Sequence, residues 1–261
     1  MMDLPSSSLY WLIPDSMNRL KAEVVPKTKI QEYLIRLMYD LYAQYYDGTS
    51  WEIFQQDLSN KDYVIMLWNE EEKIQGFSTV AILSFEFEGK PQRAIFSGDT
   101  IIHHQYWGEQ TLPLAWCRLA GKIKGEAMEQ PLYWFLIVKG YRTYRYLSVF
   151  AQRFYPTWRY PTPANYQALM DYLAQTKFGD DYDPASGLIR FPTSLGHLRG
   201  SWAEIKEGFQ HKPDVRYFLE RNPEYYKGHE LVCLMELSQE NMRSHAQRGF
   251  LEGLRDARGE G

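Results

Sequence analysis

The stretch His103–Lys124, "HHQYWGEQTLPLAWCRLAGKIK", changes its period part-way along. Leu112, Ala115, Trp116, Leu119, Ala120 and Ile123 recur at i, i+3, i+4, i+7, i+8 and i+11, the apolar stripe of an amphipathic helix. The run that leads into it, "RAIFSGDTIIHH" (93–104), is apolar and β-like and predicts a strand. Between the two stands Gln105-x-x-Gly108-x-Gln110. A strand that ends in a short glycine loop and then enters a helix offers free backbone N–H groups at a positive dipole end, an anion site. A central glycine lets that backbone approach a pyrophosphate without a β-carbon in the way. The same residues also make an ordinary polar turn, and the residues alone leave both readings open.

Upstream, apolar residues from Ile30 to Tyr45 fall at helical spacing, with Gly48 as a stop. Thr49 as N-cap and Glu52 three residues on predict a capping box for a short second helix. "DYVIMLWN" (62–69), "IQGFSTVAILSFEFEG" (74–89) and 93–104 are β-runs joined by short polar turns, an antiparallel meander. Downstream, "PLYWFLIV" (131–138) is apolar without alternation, a strand buried on both faces, and 141–155 reads as a helix. The stretch 156–228 is rich in Pro, Gly and Asp, with helices at 164–175 and near 214–221. A last strand (229–237) and a closing helix (238–257) follow. The expected organisation is a leader (1–27) and one domain (28–261). Its core would be 28–155 with 229–237, and 156–228 an insertion into it. The fold class is α/β (α+β), a mostly antiparallel sheet flanked by helices.

At 261 residues the chain suits one enlarged domain with a substantial core. Net charge is −4 with no basic block, which argues against nucleic acid as partner. Cys117 and Cys233 lie far apart in apolar contexts, so they read as small core residues rather than a disulfide, a zinc site or a nucleophile. No metal-ligand spacing occurs, and no metal is expected. The N-terminus lacks a basic n-region, and no run of about 18 apolar residues is present. A cytoplasmic protein without a membrane span is the expectation; the oligomeric state is left open. The 20 tyrosines and 8 tryptophans suit either an amphipathic pocket or a thick core.

The order α-α-β-β-β-loop-α-β-α, with Gln105-x-x-Gly108-x-Gln110 in the loop, resembles the GNAT superfamily, the GCN5-related N-acyltransferases, over about residues 28–155 plus the last strand. The resemblance implies a splayed sheet and transfer of an acyl group from a thioester to an amine, without an acyl-enzyme. It places the pyrophosphate of coenzyme A on Gln105, Tyr106, Trp107, Gly108, Glu109 and Gln110. The pantetheine arm would lie along the end of the preceding strand, at Ile101 and Ile102, in a gap between strands 93–104 and 132–138. Two departures stand out. Gln110 occupies a position where a small residue is usual, which leaves room for an acyl carrier protein as thioester carrier instead of acyl-CoA. Phe150 falls where the family often has a Tyr acid, so Tyr141, Tyr144 or Tyr146 is left to protonate the thiolate.

Acyl transfer to an amine needs a base, an oxyanion donor and an acid. Asp99, inside an otherwise apolar strand, is the first candidate base, or else a solvent-facing carboxylate beside Gly98. His103 and His104 would point to opposite faces of the strand, either one a base or a surface histidine. Tyr144 is a candidate acid. Lys139, Arg142 and Arg145 would bind an acidic carrier or a phosphate, or line a solvated helix face. "LYWFLIV" and "SWEIF" would line an acyl tunnel or fill the core. Two other classes remain: a GNAT-like binding or regulatory module without catalysis, and an assembly protein using its tyrosine-rich surface. A medium or long acyl chain and a peptide or amino-acid amine are the finer expectations for the enzyme.

Overall fold

The computed structural model describes residues 19–192, 196–205 and 208–260. In chain order the elements are β1 (Lys21–Pro26), α1 (Glu32–Tyr42), β2 (Tyr46–Asp47), α2 (Trp51–Ser59), β3 (Tyr63–Trp68), β4 (Ile74–Phe87) and β5 (Lys90–Ile102). Then come α3 (Thr111–Glu126), β6 (Leu132–Val138), α4 (Tyr141–Phe150), α5 (Ala164–Phe178), β7 (Tyr182–Asp183), β8 (Leu188–Ile189) and β9 (His197–Leu198). The chain closes with α6 (Gly200–Ala203), α7 (Pro213–Arg221), β10 (Glu230–Glu236) and α8 (Ser244–Ala257).

The main sheet has eight strands in the order β1-β3-β4-β5-β6-β10-β8-β7. Every pairing in it is antiparallel except β5 with β6. The meander β3-β4-β5 is the one the sequence predicts, and β10 falls where a last strand is expected, its antiparallel pairing with β6 seen only in the structure. Alternation along the strands divides the core. Ile95, Trp134, Leu136 and Cys233 face α3, α4 and α8. On the opposite face Phe96, Phe135, Val232 and Leu234 pack against Leu169, Met170 and Leu173 of α5. That same face, over β3 and β4, packs Val64, Met66 and Phe77 against Met38, Leu41, Phe54 and Leu58 of α1 and α2.

Several boundaries differ from the sequence reading. β1 lies within the stretch read as a leader and pairs with β3 from Lys21↔Trp68 to Pro26↔Tyr63. Its residues are largely exposed, so an edge strand leaves no alternation to detect; residues 1–18 lie outside the described residues. α1 stops at Tyr42, before Gly48, because Gln44 N–H and Tyr45 N–H tighten to the carbonyls three residues back, Leu41 and Tyr42. The N-cap of α2 is Ser50, whose Oγ accepts from Ile53 N–H at 3.2 Å, so Thr49 does not cap it. α4 ends at Phe150, since Ala151 and Tyr155 turn to pair with Met242 and Leu234. The stretch 156–228 does more than insert: β8 pairs with β10 and β7 with β8, which widens the sheet.

α3 and α8 touch backbone to backbone through glycines. A β-carbon on Gly121 would overlap the Phe250 carbonyl, and one on Gly253 would overlap the Arg118 carbonyl. Arg118 then clamps Asp256 with two bonds of 2.6 and 2.9 Å. α8 thus fixes the axis of the helix whose N-terminus follows the glycine loop. Gly253→Ala forces the helices apart and is expected to cost about 1–3 kcal/mol. A thermal melt checks it: a fall of several degrees is expected, and an unchanged Tm contradicts the contact.

Candidate active site

The site begins where β5 and β6 part. They pair in parallel at Arg93↔Leu132, Ala94↔Tyr133, Ile95↔Trp134 and Phe96↔Phe135, and no further. Beyond Phe96, β5 stays on β4 as far as Ile102, while β6 runs on to Val138 alongside β10. A bulge explains the parting. Val80 stands opposite Ser97 and Ser78 opposite Thr100, so Gly98 and Asp99 share the single residue Thr79. A bulge bends its strand and raises the local twist. Gly98 is required there, because a β-carbon would overlap Thr79 Oγ1 and stand 2.6 Å from Lys61 Cε.

A cavity of about 400 Å³ passes through the opening, within the range of small-molecule sites. On one face it is walled by Leu112 and Pro113 of the first turn of α3, with Trp116, Trp134, Tyr146 and Phe150. On the other it meets Tyr42, Phe54, Asp57, Phe96, Phe178 and Asp181. The "LYWFLIV" and "SWEIF" segments are therefore both wall and core: Trp134, Leu136, Ile137, Ile53 and Phe54 line the cavity, while Leu132 is packed away in the core.

Asp99 is half-buried in this cavity. Burial raises its carboxyl from the ordinary 3.8 to about 6; Asp57 pushes the same way, and Lys139 and Lys61 pull against it. The Tyr42 hydroxyl hydrogen-bonds the Asp99 carboxyl and is itself raised well above its ordinary value, by burial first and then by Asp99. Lys139 Nζ lies 3.3 Å from Glu230 Oε1 and donates to the Gly196 carbonyl at 3.2 Å. Burial alone would lower this ammonium, but Glu230, Tyr46 and Asp99 hold it above its ordinary value. Lys61, also buried, pairs with Asp57 at 2.6 Å. Lys177 Nζ stands 4.4 Å over the Phe96 ring, its ammonium lowered by burial and by Lys61.

The histidines sit elsewhere. β5 ends at Ile102, and a 3₁₀ turn at His104–Tyr106 carries the pair out of the strand. Their rings lie 4.3 Å apart instead of on opposite faces, and neither lines the cavity. The Tyr45 hydroxyl causes this, accepting from His104 N–H at 2.8 Å and bonding His104 Nδ1 at 3.1 Å. His103 is lowered by burial and then by His104.

The loop 105–110 does precede α3, and Gly108 adopts a φ of +100° with open space on its β-carbon side. The amides of Gly108, Gln110, Thr111 and Leu112 have no backbone partner among the described residues. Gln110 folds inward, Nε2 donating to the Gly108 carbonyl at 3.1 Å. The Glu109 carboxylate, 9% exposed, turns to Arg19 at 3.2 Å, and Arg19 also donates to the Gln105 carbonyl at 2.6 Å. The Arg19 guanidinium stacks on Tyr106 at 4.7 Å. Trp107 Nε1 donates to the Ile102 carbonyl at 2.8 Å. Ile101 is buried against α1 and α2, and Ile102 packs on the other face; neither reaches the cavity.

Tyr144 is fully buried, donates to the Pro156 carbonyl at 2.8 Å and lies outside the cavity, whereas Tyr146 lines it. The three cations after β6 are engaged within the chain: Lys139 with Glu230, Arg145 with Asp214 at 3.0 Å, and Arg142 over Trp107 at 4.3 Å. Both cysteines are buried, and burial pushes the Cys117 thiol up to about 12. Among the described residues no group of His, Cys, Asp and Glu is placed to hold a metal ion, and no helix is long and apolar enough to cross a membrane. Sequence reasoning missed Ser97, Trp116, Tyr42 and Glu230 at the cavity, and reached Trp134 only as part of the "LYWFLIV" segment. Ser97 was within reach, two residues before Asp99 in the same strand; Glu230 becomes a neighbour only through the β6–β10 pairing.

No family model matches the chain, and no curated protein matches it. Solved structures that resemble it do so at low identity. One is a conserved protein from Enterococcus faecalis printed as "Probable N-Acyltransferase", 16% identical, covering 51% of this chain and 33% of that one, with a TM-score of 0.36. This chain thus spans about a third of that protein's length. The GNAT family N-acetyltransferase YhbS of Escherichia coli, solved with CoA, is 8% identical, covers 50% and 69%, and has a TM-score of 0.35. Escherichia coli ElaA is 11% identical, covers 56% and 94%, and has a TM-score of 0.34. The chain's own topology decides the fold: two helices, a three-stranded meander, a glycine loop, a helix, a parallel strand that splays away and an antiparallel closing strand. That order and topology are what the resemblance to the GNAT superfamily implied.

Asp99 also makes a pH prediction. Its folded value, about 6, exceeds its ordinary 3.8. Folding therefore favours the protonated carboxyl: the contribution is complete below 3.8 and is lost as pH rises through about 6. Asp99→Asn removes this loss, so the variant should melt above the parent at pH 8 and close to it at pH 4. Melts across that range check it; an equal difference at both ends contradicts the buried carboxyl.

Proposed function

We propose that this chain is an N-acyltransferase that moves an acyl group from acyl-CoA to an amine by direct attack in a ternary complex. The observation that carries the reading is the opening between two parallel strands, which joins the first turn of α3 to a half-buried carboxylate on the far side. Free amides around Gly108 and the dipole of α3 would hold the pyrophosphate; Arg19, beside the loop, is already paired with Glu109. The pantetheine arm would enter the gap that unpaired β5 and β6 leave. Acyl-CoA is favoured over a carrier protein because Lys139, Arg142 and Arg145, the cations an acidic carrier would meet, are already engaged.

The amine reaches the thioester carbon from the Tyr42 side. Asp99, raised to about 6, is ionised at neutral pH and takes the amine's proton as the C–N bond forms. The tetrahedral intermediate then expels the thiolate as the C–S bond breaks. Tyr146, on the cavity wall and kept protonated by burial above its ordinary value, supplies the proton to sulfur. Trp116, Trp134 and Phe150 form the apolar wall against which the acyl chain lies. The acceptor is an amine small or slender enough to enter from the α1–α2–α5 face, an amino-acid or peptide amine included.

Thiol release from acyl-CoA in the presence of an amine panel tests the activity. Asp99→Asn should lower kcat by roughly 10²–10⁴ while leaving acyl-CoA affinity in place. The parent's rate should rise with pH through about 6. No thiol release with any amine, together with intact acyl-CoA binding, would instead identify a binding module.

The wall sets a second expectation. Each methylene buried against it adds about 0.8 kcal/mol, about fourfold in affinity per carbon, until the chain reaches the end of the cavity. Titration with acyl-CoAs of increasing length checks this. A monotonic loss beyond acetyl would leave a short-chain acetyltransferase.

A further inference from the structure

Ser97 is the first β5 residue beyond the last pair with β6, and it lines the cavity on the α3 face. Two indoles converge on it: Trp116 Nε1 donates to Ser97 Oγ at 3.1 Å and Trp134 Nε1 at 2.9 Å. An indole nitrogen can only donate, and a serine oxygen has two lone pairs and one proton. Both lone pairs are therefore taken, and the hydroxyl is left only as a donor. Among the described residues no acceptor takes its proton. Elsewhere in the β4–β5 pair, Ser78 and Thr100 bond each other at 2.7 Å.

The indoles come from different elements and hold each other. Their rings lie 4.3 Å apart, and Phe150 stacks on Trp134 at 5.9 Å and on Trp116 at 6.4 Å. Two N–H groups drawing on one oxygen polarise its O–H bond, which makes it a stronger donor in a site of low dielectric. Such a donor is matched to an oxygen that gains negative charge at the mouth of the opening.

We propose that the Ser97 hydroxyl is the oxyanion donor of this enzyme: it bonds the carbonyl oxygen of the acyl thioester and strengthens that bond as the tetrahedral intermediate forms. The proposal rests on the acyltransferase reading above and adds a residue to it. No proton is transferred from Ser97; the oxyanion collapses back to a carbonyl when the C–S bond breaks, and the hydrogen bond persists to the amide product.

The test uses the full chain and acyl-CoA labelled with ¹³C at the thioester carbonyl. Bound to the parent protein, the labelled C=O stretch should fall in frequency relative to free acyl-CoA. In Ser97→Ala the shift should vanish while affinity stays within about twofold, and kcat should drop about 10²–10³-fold with KM little changed. Ser97→Thr, which keeps the hydroxyl, should restore most of the shift. Trp116→Phe frees one lone pair and should weaken the shift, but should have no effect on it in the Ser97→Ala background. A serine that only braces the two strands would lower the melting temperature on substitution without moving the carbonyl band. An unshifted band in the parent, or a shift kept in Ser97→Ala, overturns the proposal and leaves the acyltransferase reading standing. Failure of the parent to bind acyl-CoA overturns both.

Discussion

Four residue pairs hold β5 to β6, and everything functional follows from their being only four. Had the pairing continued, the sheet would be closed and no ligand could cross it. β5 is committed to β4 along its whole length, and the bulge at Gly98 and Asp99 turns its second half away from β6. β6 is committed in turn to β10, from Val138 to Tyr133. Each strand therefore has one satisfied edge beyond Phe96, and the facing edges border the cavity. Unpaired strand edges in a protein interior are costly unless something meets them, and in the proposed function the amide groups of the thioester arm would do so.

The charges around the opening fit this arrangement. Lys139, just past the end of β6, and Glu230, at the start of β10, meet because those strands are antiparallel neighbours. Removing either partner from such a pair would leave an uncompensated buried charge. Asp57 is likewise matched by Lys61, which packs on Gly98. Asp99 is left facing Tyr42, with Lys139 and Lys61 acting on it less than burial does. Burial first, and then the nearby Asp57, raise this carboxyl toward neutrality. The helix behind the loop is fixed from outside, by the glycine contact of α3 with α8, so the loop is presented on a rigid support.

Much of this was legible in the residues of the chain, for identifiable reasons. The helix after the loop shows a full apolar stripe, and the meander shows three β-runs with polar turns, so local period alone located both. The existence of the last strand followed from its apolar run; its place between β6 and β8 did not. Asp99 drew notice because a carboxylate in an apolar strand is expensive. The histidines misled for the opposite reason: two polar residues at a strand end carry no period, and a tertiary contact to Tyr45 decided that they leave the strand. β1 was illegible because an exposed edge strand buries almost nothing.

What the sequence by itself determined is the order of the main elements from α1 to α4, the loop ahead of α3 and the strand that holds the candidate base, since each is written in contiguous residues through spacing and side-chain type. What only the tertiary structure decided is which side chains meet in the opening. Ser97 joins Trp116 and Trp134, Lys139 joins Glu230, and Asp99 joins Tyr42 across separations of 19 to 91 residues. Such contacts depend on strand pairing, on a one-residue bulge and on helix packing. These are set by the free energy of the whole core, and no local stretch encodes them.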